Sequence, residues 1–343
     1  MTENLRRKMR RVVLTGTRNF TITETVEPSR MPDEVLVAVS IVGVCGSDLH
    51  VFLGRHPRVR APVVLGHECA GRVYWAPEDT GLEVGEPVTF TPLVPCKVCA
   101  HCRLNRPNIC LNRQVIGFQR PGGLADIVSV PVENVIPLPE GFDLRKGALC
   151  EPLAVAVHAA SLVGIARDQP VVVTGAGPIG LLVGMHAREA YGADVHFVEI
   201  NPRRTEFAED LGFEVVSAVS ELEWALGSRH QAVVFECTGR LEVVSSLMDL
   251  VPAPAAVVLV GTFERSQDMG LYLMSRYETR VVGSQMYTMA DIERAVSILS
   301  GSNGQIYGRL ISSKVFPLEH VREAYEEALN PAYSVKVQVS VER

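Results

Sequence analysis

Apolar residues follow two patterns along the chain. Between residues 12 and 42 they come in short β-branched runs, of which Val35-Leu36-Val37-Ala38-Val39 is the clearest, and such runs predict strands. Glycines at 54, 66, 71, 81 and 85 and prolines at 57, 62, 77 and 87 then break the sequence every few residues. They leave room only for short strands such as Val63-Val64-Leu65. The expectation is an irregular, mainly β domain of barrel type. Further on, 117–123 reads as a turn and 127–130 as a strand, and a helix begins at Cys150 with Pro152 in its first turn.

The second pattern starts near residue 170. Val171-Val172-Val173-Thr174 is continuously apolar, as in a strand buried on both faces of a parallel sheet. A helical stretch over 181–191 and a strand over 195–198 follow. The segments 232–240, 256–262 and 280–284 repeat the theme of a strand and its exit loop. Residues 289–300 and 318–329 read as helices, and 335–339 as a closing strand. This β/α alternation predicts a doubly wound α/β sheet. At 343 residues the chain is long for one core, so two domains are expected.

Composition narrows the function. A net charge of −6 argues against a general nucleic-acid surface. No run of about 18 uncharged apolar residues marks a membrane span. Five of the six residues from Arg6 to Arg11 are Lys or Arg, which reads as a solvated basic tail without the apolar core of a secretory signal. Four of the eight cysteines, Cys96, Cys99, Cys102 and Cys110, fall within fifteen residues. That spacing suits a metal better than a disulfide framework, and points to a reducing, cytoplasmic compartment. Four thiolates close a tetrahedral zinc shell, so this site is expected to be structural.

Other candidate chemistry lies in three places. Gly43-Val44-Cys45-Gly46-Ser47-Asp48-Leu49-His50 gathers a thiol, a hydroxyl, a carboxylate and an imidazole, and Gly66-His67-Glu68-Cys69 adds a second imidazole and carboxylate. Cysteine and histidine are usual zinc ligands, and a catalytic zinc needs three ligands and an open position. Glu151 stands at the entry of an apolar helix, either as a charge favoured by the helix dipole or as a metal or water partner. Gly175-Ala176-Gly177-Pro178-Ile179-Gly180 lies between strand and helix, with Glu199 nineteen residues after Gly180 at the end of the next strand. That arrangement is a dinucleotide fingerprint. The acid favours NAD by accepting from the ribose hydroxyls, while Arg203 and Arg204 could accommodate the extra phosphate of NADP. The loop Gly54-Arg55-His56-Pro57-Arg58-Val59-Arg60 reads as a solvated surface loop, its functional alternative being attraction of an anionic or hydroxyl-rich substrate.

In order along the chain, these motifs resemble the zinc-dependent medium-chain dehydrogenase/reductase superfamily, within it the sorbitol/polyol and threonine dehydrogenase branch. The match covers nearly the whole sequence, including Cys-Glu-Pro-Leu-Ala-Val at 150–155. The resemblance implies a GroES-like catalytic domain over 1–152 and 290–343, with a zinc lobe at 92–113, and a Rossmann domain over 153–289. It implies a catalytic and a structural zinc per chain, NAD or NADP, a small alcohol or ketone substrate, and a homodimer or homotetramer. By motif, Cys45 and His67 resemble catalytic zinc ligands, with Glu68 or Glu151 as the third. Asp48 resembles the carboxylate that orients His67. Ser47 resembles the hydroxyl that bonds the substrate alcohol, and His50 the imidazole that passes its proton outward. Arg204 lines up with a residue touching the adenosine ribose, and Thr238, Gly239, Val260 and Gly261 with the nicotinamide wall. Met286 stands where polyol dehydrogenases often carry arginine, which counts against sorbitol itself and leaves an amino-polyol, a cyclitol or another secondary alcohol. The implied activity is hydride transfer between such an alcohol and NAD. An NADPH-linked carbonyl reductase or a threonine dehydrogenase is the enzymatic alternative. A cofactor-binding structural or regulatory protein is the other, and it has no need of the Cys45, Ser47 and His50 set.

Overall fold

The computed structural model describes residues 7–222, 232–248, 255–263, 271–330 and 335–342. The chain falls into two compact units, one built from the residues up to Glu151 and from Thr288 onward, the other from Pro152–Tyr287.

The first unit is organised on the strand Glu34–Gly43, whose β-branched residues fill a core with Phe52, Phe90, Phe316 and Tyr325. It sits near the middle of a seven-stranded sheet. On one side lies Glu68–Trp75, followed by Pro87–Phe90 and Val135–Pro137; on the other lies Lys336–Ser340, followed by Ile311–Pro317. Ile127–Pro131 pairs with the opening half of the same strand. The register sets Gly43 opposite both Glu68 and Gln338. A Cβ on Gly43 would run into the Glu68 carboxylate, so glycine is required for that side chain to lie where it does. An antiparallel ribbon, Lys8–Gly16 with Asn19–Val26, packs beside this sheet through Phe20, which stacks on Phe52 at 5.4 Å.

Two expectations for this unit are corrected. Val63-Val64-Leu65 is not a strand; only Val63 makes a β-bridge, to Leu14. The carbonyls of Val64 and Leu65 instead accept N–H groups from Gly122 and Leu124, because Gly66 turns the chain with φ +99°. The basic residues Lys8, Arg10 and Arg11 belong to the first strand rather than to a tail. Arg10 pairs with Asp126 at 2.8 Å, and residues 1–6 lie outside the described residues. The helix Gly46–Phe52 and the strand Ile311–Pro317, with its polar Ser312, Ser313 and Lys314, had no periodic signal. Helix Met289–Ser300 occupies the expected span, while 318–329 opens as a 3-10 turn before the helix Val321–Leu329.

The second unit is a six-stranded sheet, parallel throughout. Its first strand in sequence, Pro170–Thr174, is central, flanked by Asp194–Val198 and then Glu214–Val216 on one side. Val233–Glu236, Ala256–Leu259 and Arg280–Gly283 continue the other side. The strand order reverses at Pro170–Thr174, and ligands of such sheets bind beyond the C-terminal strand ends at that switch point. Helix Pro178–Tyr191 starts three residues before the expected 181, since Pro178 fits the first helical turn.

Candidate active site

The two candidate ligand segments, set apart in sequence, meet in the first unit. Gly43 ends its strand, and Cys45 opens the helix Gly46–Phe52. Asp48, wholly buried in that helix, faces two ways: its Oδ2 accepts the Cys45 N–H at 3.2 Å, and its Oδ1 lies 3.2 Å from His67 Nδ1. This engages the Nδ1 side of the imidazole and leaves Nε2 for a metal, the usual division between a ligand and the carboxylate behind it. One donor atom each from Cys45, His67 and Glu68 lie within 4.8 Å of one another. A thiolate, an imidazole and a carboxylate so placed fit a three-ligand zinc site with a fourth position open. Charge in the pocket agrees: burial opposes protonation of His67, but Asp48 and Cys45 outweigh it and raise its pKa well above the ordinary value. The pocket therefore favours a cation. Ser47 Oγ donates to Cys45 Sγ at 3.2 Å, and His50, half-buried, lies one turn further along the same helix.

Glu68 has a partner that sequence reasoning missed. Lys336 Nζ lies 2.6 and 2.8 Å from its two carboxylate oxygens, with both side chains out of solvent. Burial alone would lower the lysine's pKa; Glu68, with Cys45 and Glu151, more than offsets it, and the pKa is raised. In the alternation Lys336-Val337-Gln338-Val339 the polar positions read as a solvent face, yet all four residues are buried. Glu151 is also buried, in the first turn of helix Cys150–Ser161, but it is not part of the three-donor cluster.

Cys96, Cys99, Cys102 and Cys110 form the other donor cluster among the described residues. Cys99 Sγ is 3.5 Å from Cys102 Sγ and 3.8 Å from Cys110 Sγ, and no disulfide joins them. Backbone N–H groups of Cys102 and Leu111 pull the Cys99 thiol down to about 6, while burial and the neighbouring sulfurs push Cys102 up to about 12. A loop that aims amides at sulfur before any metal arrives suits a tetrathiolate site. Val98, Leu104 and Leu111 of this lobe are exposed, so little apolar packing holds it.

In the second unit Gly175 follows its strand at φ +90°, and a Cβ on Gly180 would collide with the Gly175 carbonyl. Gly177 caps helix Pro178–Tyr191, beginning with Pro178 and Ile179, and a Cβ there would stand 3.7 Å from the Arg204 guanidinium. Glu199 accepts N–H groups from Ala176, Ile200 and Asn201, each at 2.8 Å. The carboxylate expected to meet the ribose thus also braces the glycine-rich loop. Glu236, fully buried, plays a similar part unannounced by any motif: it accepts N–H groups from Thr238 and Gly239, and its carbonyl accepts those of Val260 and Gly261. A Cβ on Gly261 would meet the Gly239 backbone, so the loops after these two strands close on each other only with glycine.

A metal-binding set on a GroES-like unit and a glycine-rich loop on a parallel sheet are the two halves of an alcohol dehydrogenase. Residues 31–140 match the alcohol dehydrogenase GroES-like domain and residues 178–301 the zinc-binding dehydrogenase domain, and the chain belongs to this family of zinc-binding oxidoreductases. It is 32% identical over 318 residues to 2-dehydro-3-deoxy-L-galactonate 5-dehydrogenase of Pseudoalteromonas atlantica, covering 90% of this chain and 92% of that one. It is also 32% identical over 335 residues to sorbitol dehydrogenase of Halalkalibacterium halodurans, covering 94% and 96%. A zinc-binding dehydrogenase structure from Sinorhizobium meliloti, bound to NADP, superposes with a TM-score of 0.86 at 31% identity, over 97% of this chain and 99% of that one.

Proposed function

We propose that this enzyme oxidises a polyhydroxylated secondary alcohol to the ketone with NAD, at a zinc held by Cys45, His67 and Glu68. The observation that carries the reading is the meeting of those three donors within 4.8 Å. When bound, zinc supplies the Lewis acidity that makes an alcohol proton easy to lose, and NAD the ring that takes up hydride. The chain's own residues do the rest. Ser47 and His50 are three apart on one helix and so share a face, which suits a relay taking the alcohol proton outward. Asp48 keeps His67 in one orientation, and Lys336 balances the Glu68 charge. Glu151 then serves as a nearby buried carboxylate rather than as a ligand. The four cysteines of the lobe hold a second, structural zinc.

NAD is favoured because Glu199 directly follows the second strand, where its carboxylate can accept from a ribose hydroxyl and repels a phosphate. NADP is the second reading: three N–H groups already occupy that carboxylate, Arg203 and Arg204 are adjacent, and the Sinorhizobium meliloti relative binds NADP. The outer strand Arg280–Gly283 has no partner on its far side among the described residues, which supports a homodimer joined through these sheets, or a homotetramer of such pairs. Eight unpaired cysteines suit a cytoplasmic setting. A panel of polyols followed by NADH and NADPH absorbance, with zinc analysis of the same sample, tests the reading. Failure of the zinc-loaded protein to reduce either cofactor with any secondary alcohol would refute it.

A further inference from the structure

The loop between the two ligand-bearing segments carries three exposed arginines, Arg55, Arg58 and Arg60. Arg113 stands near them, half-buried, its pKa lowered by burial and by Arg58. No ion pair joins any of the four to a carboxylate among the described residues, although the chain holds 39 acids to 33 bases. Gathered like charges with no carboxylate paired to them disfavour the compact state and attract anions.

The loop lies at the surface, as its sequence suggested, yet it is tightly built. Val59 is buried. The His56 ring is its hub: Nδ1 accepts N–H groups from Val59 at 2.9 Å and Arg58 at 3.2 Å. The N–H groups of Arg55 and His56 donate to the His50 carbonyl at 2.8 and 3.0 Å. An Nδ1 that accepts carries no proton, and burial together with Arg58 lowers the His56 pKa, which keeps the ring neutral. That ring packs on Phe118 at a centroid distance of 5.3 Å, and Phe118 packs on His67 at 5.2 Å. One aromatic ring therefore separates the hub of the arginine loop from an imidazole of the metal cluster.

We propose that Arg58, with Arg55, Arg60 and Arg113 around it, is a subsite for a terminal anion on the substrate, the carboxylate of a sugar acid or the phosphate of a polyol monoester. A guanidinium matches either group with paired N–H donors. The proposal rests on the secondary-alcohol reading and assigns the far end of the same molecule.

The test measures kcat/KM of the zinc-loaded enzyme for aldonates, the alditols of matching configuration and the alditol monophosphates. The aldonate or the monophosphate is expected to exceed its alditol, and whichever does so identifies the source of the anion. Arg58→Gln is expected to lower the anion-to-alditol ratio of kcat/KM by about tenfold or more, chiefly through KM for the anion, as the loss of a charged hydrogen-bond donor predicts. Salt is expected to weaken the anion's advantage in the wild type more than in the variant. Alditols oxidised as readily as their anionic counterparts, or an unchanged ratio in a variant that keeps its melting temperature, would overturn the subsite and leave the dehydrogenase standing. Turnover of no alcohol in any arm would overturn both.

Discussion

Replacing Lys336 with methionine isolates the charge balance at the proposed metal site. The side chain is 3% exposed and Glu68 fully buried, so Lys336→Met leaves a carboxylate in the interior facing a thioether instead of an ammonium. Breaking a buried pair from one side costs about 3–5 kcal/mol, because the remaining charge is uncompensated. At about 2–4 °C per kcal/mol for a domain of this size, the melting temperature should fall by on the order of 10 °C. The sign with pH follows from the raised lysine pKa: the pair's stability is complete below the ordinary lysine range and is lost only as pH climbs through the raised value, so a neutral buffer sees all of it. A metal on Glu68 supplies a second cation, so the loss should be smaller in zinc-loaded protein than after chelation. Thermal unfolding of wild type and variant, each loaded and stripped, reads both quantities. A drop of the same size in the two states would show that Glu68 does not meet the metal, and no drop in either would refute the buried pair.

Cys45→Ala should abolish turnover while nucleotide still binds, as read by tryptophan fluorescence titration; a variant with full activity removes the ligand role. After chelation at pH 7, Cys99 should be alkylated by iodoacetamide ahead of Cys69 and Cys150, whose thiols burial pushes up, and its rate should fall as pH drops through about 6. Peptide mass spectrometry checks the order, and Cys99→Ala should lose zinc and melt earlier. Glu199→Gln replaces one accepting oxygen with a donor, so binding of NAD should weaken and the NAD-to-NADP ratio of kcat/KM should fall by about tenfold. An unmoved ratio would mean that Glu199 serves the loop alone.

Much of the architecture was legible because its signals were local. Val171–Thr174 read as a buried parallel strand from its unbroken apolar run, and the glycines at 175 and 180 that follow it sit where a Cβ would meet Thr238 or the Gly175 carbonyl. Cys45, His67 and the four-cysteine lobe were legible from spacing. What escaped depends on distant pairing: Lys336 reaches Glu68 only because its strand lies beside Glu34–Gly43, and nothing near position 336 announces that neighbour. The choice between Glu68 and Glu151 was open for the same reason. The arginine loop escaped differently. Its charges were plain, but its rigidity comes from His56 and Phe118, whose ring contact joins residues far apart in sequence.

Glu68 and Lys336 are 268 positions apart. At about 5–20 residues per second on the ribosome, the acid waits on the order of half a minute for its counter-ion. During that time the early strands hold a carboxylate they cannot bury without penalty, so the first unit closes only after the second has been made. A message cut short before codon 336 would leave Glu68 without the buried ammonium that balances it.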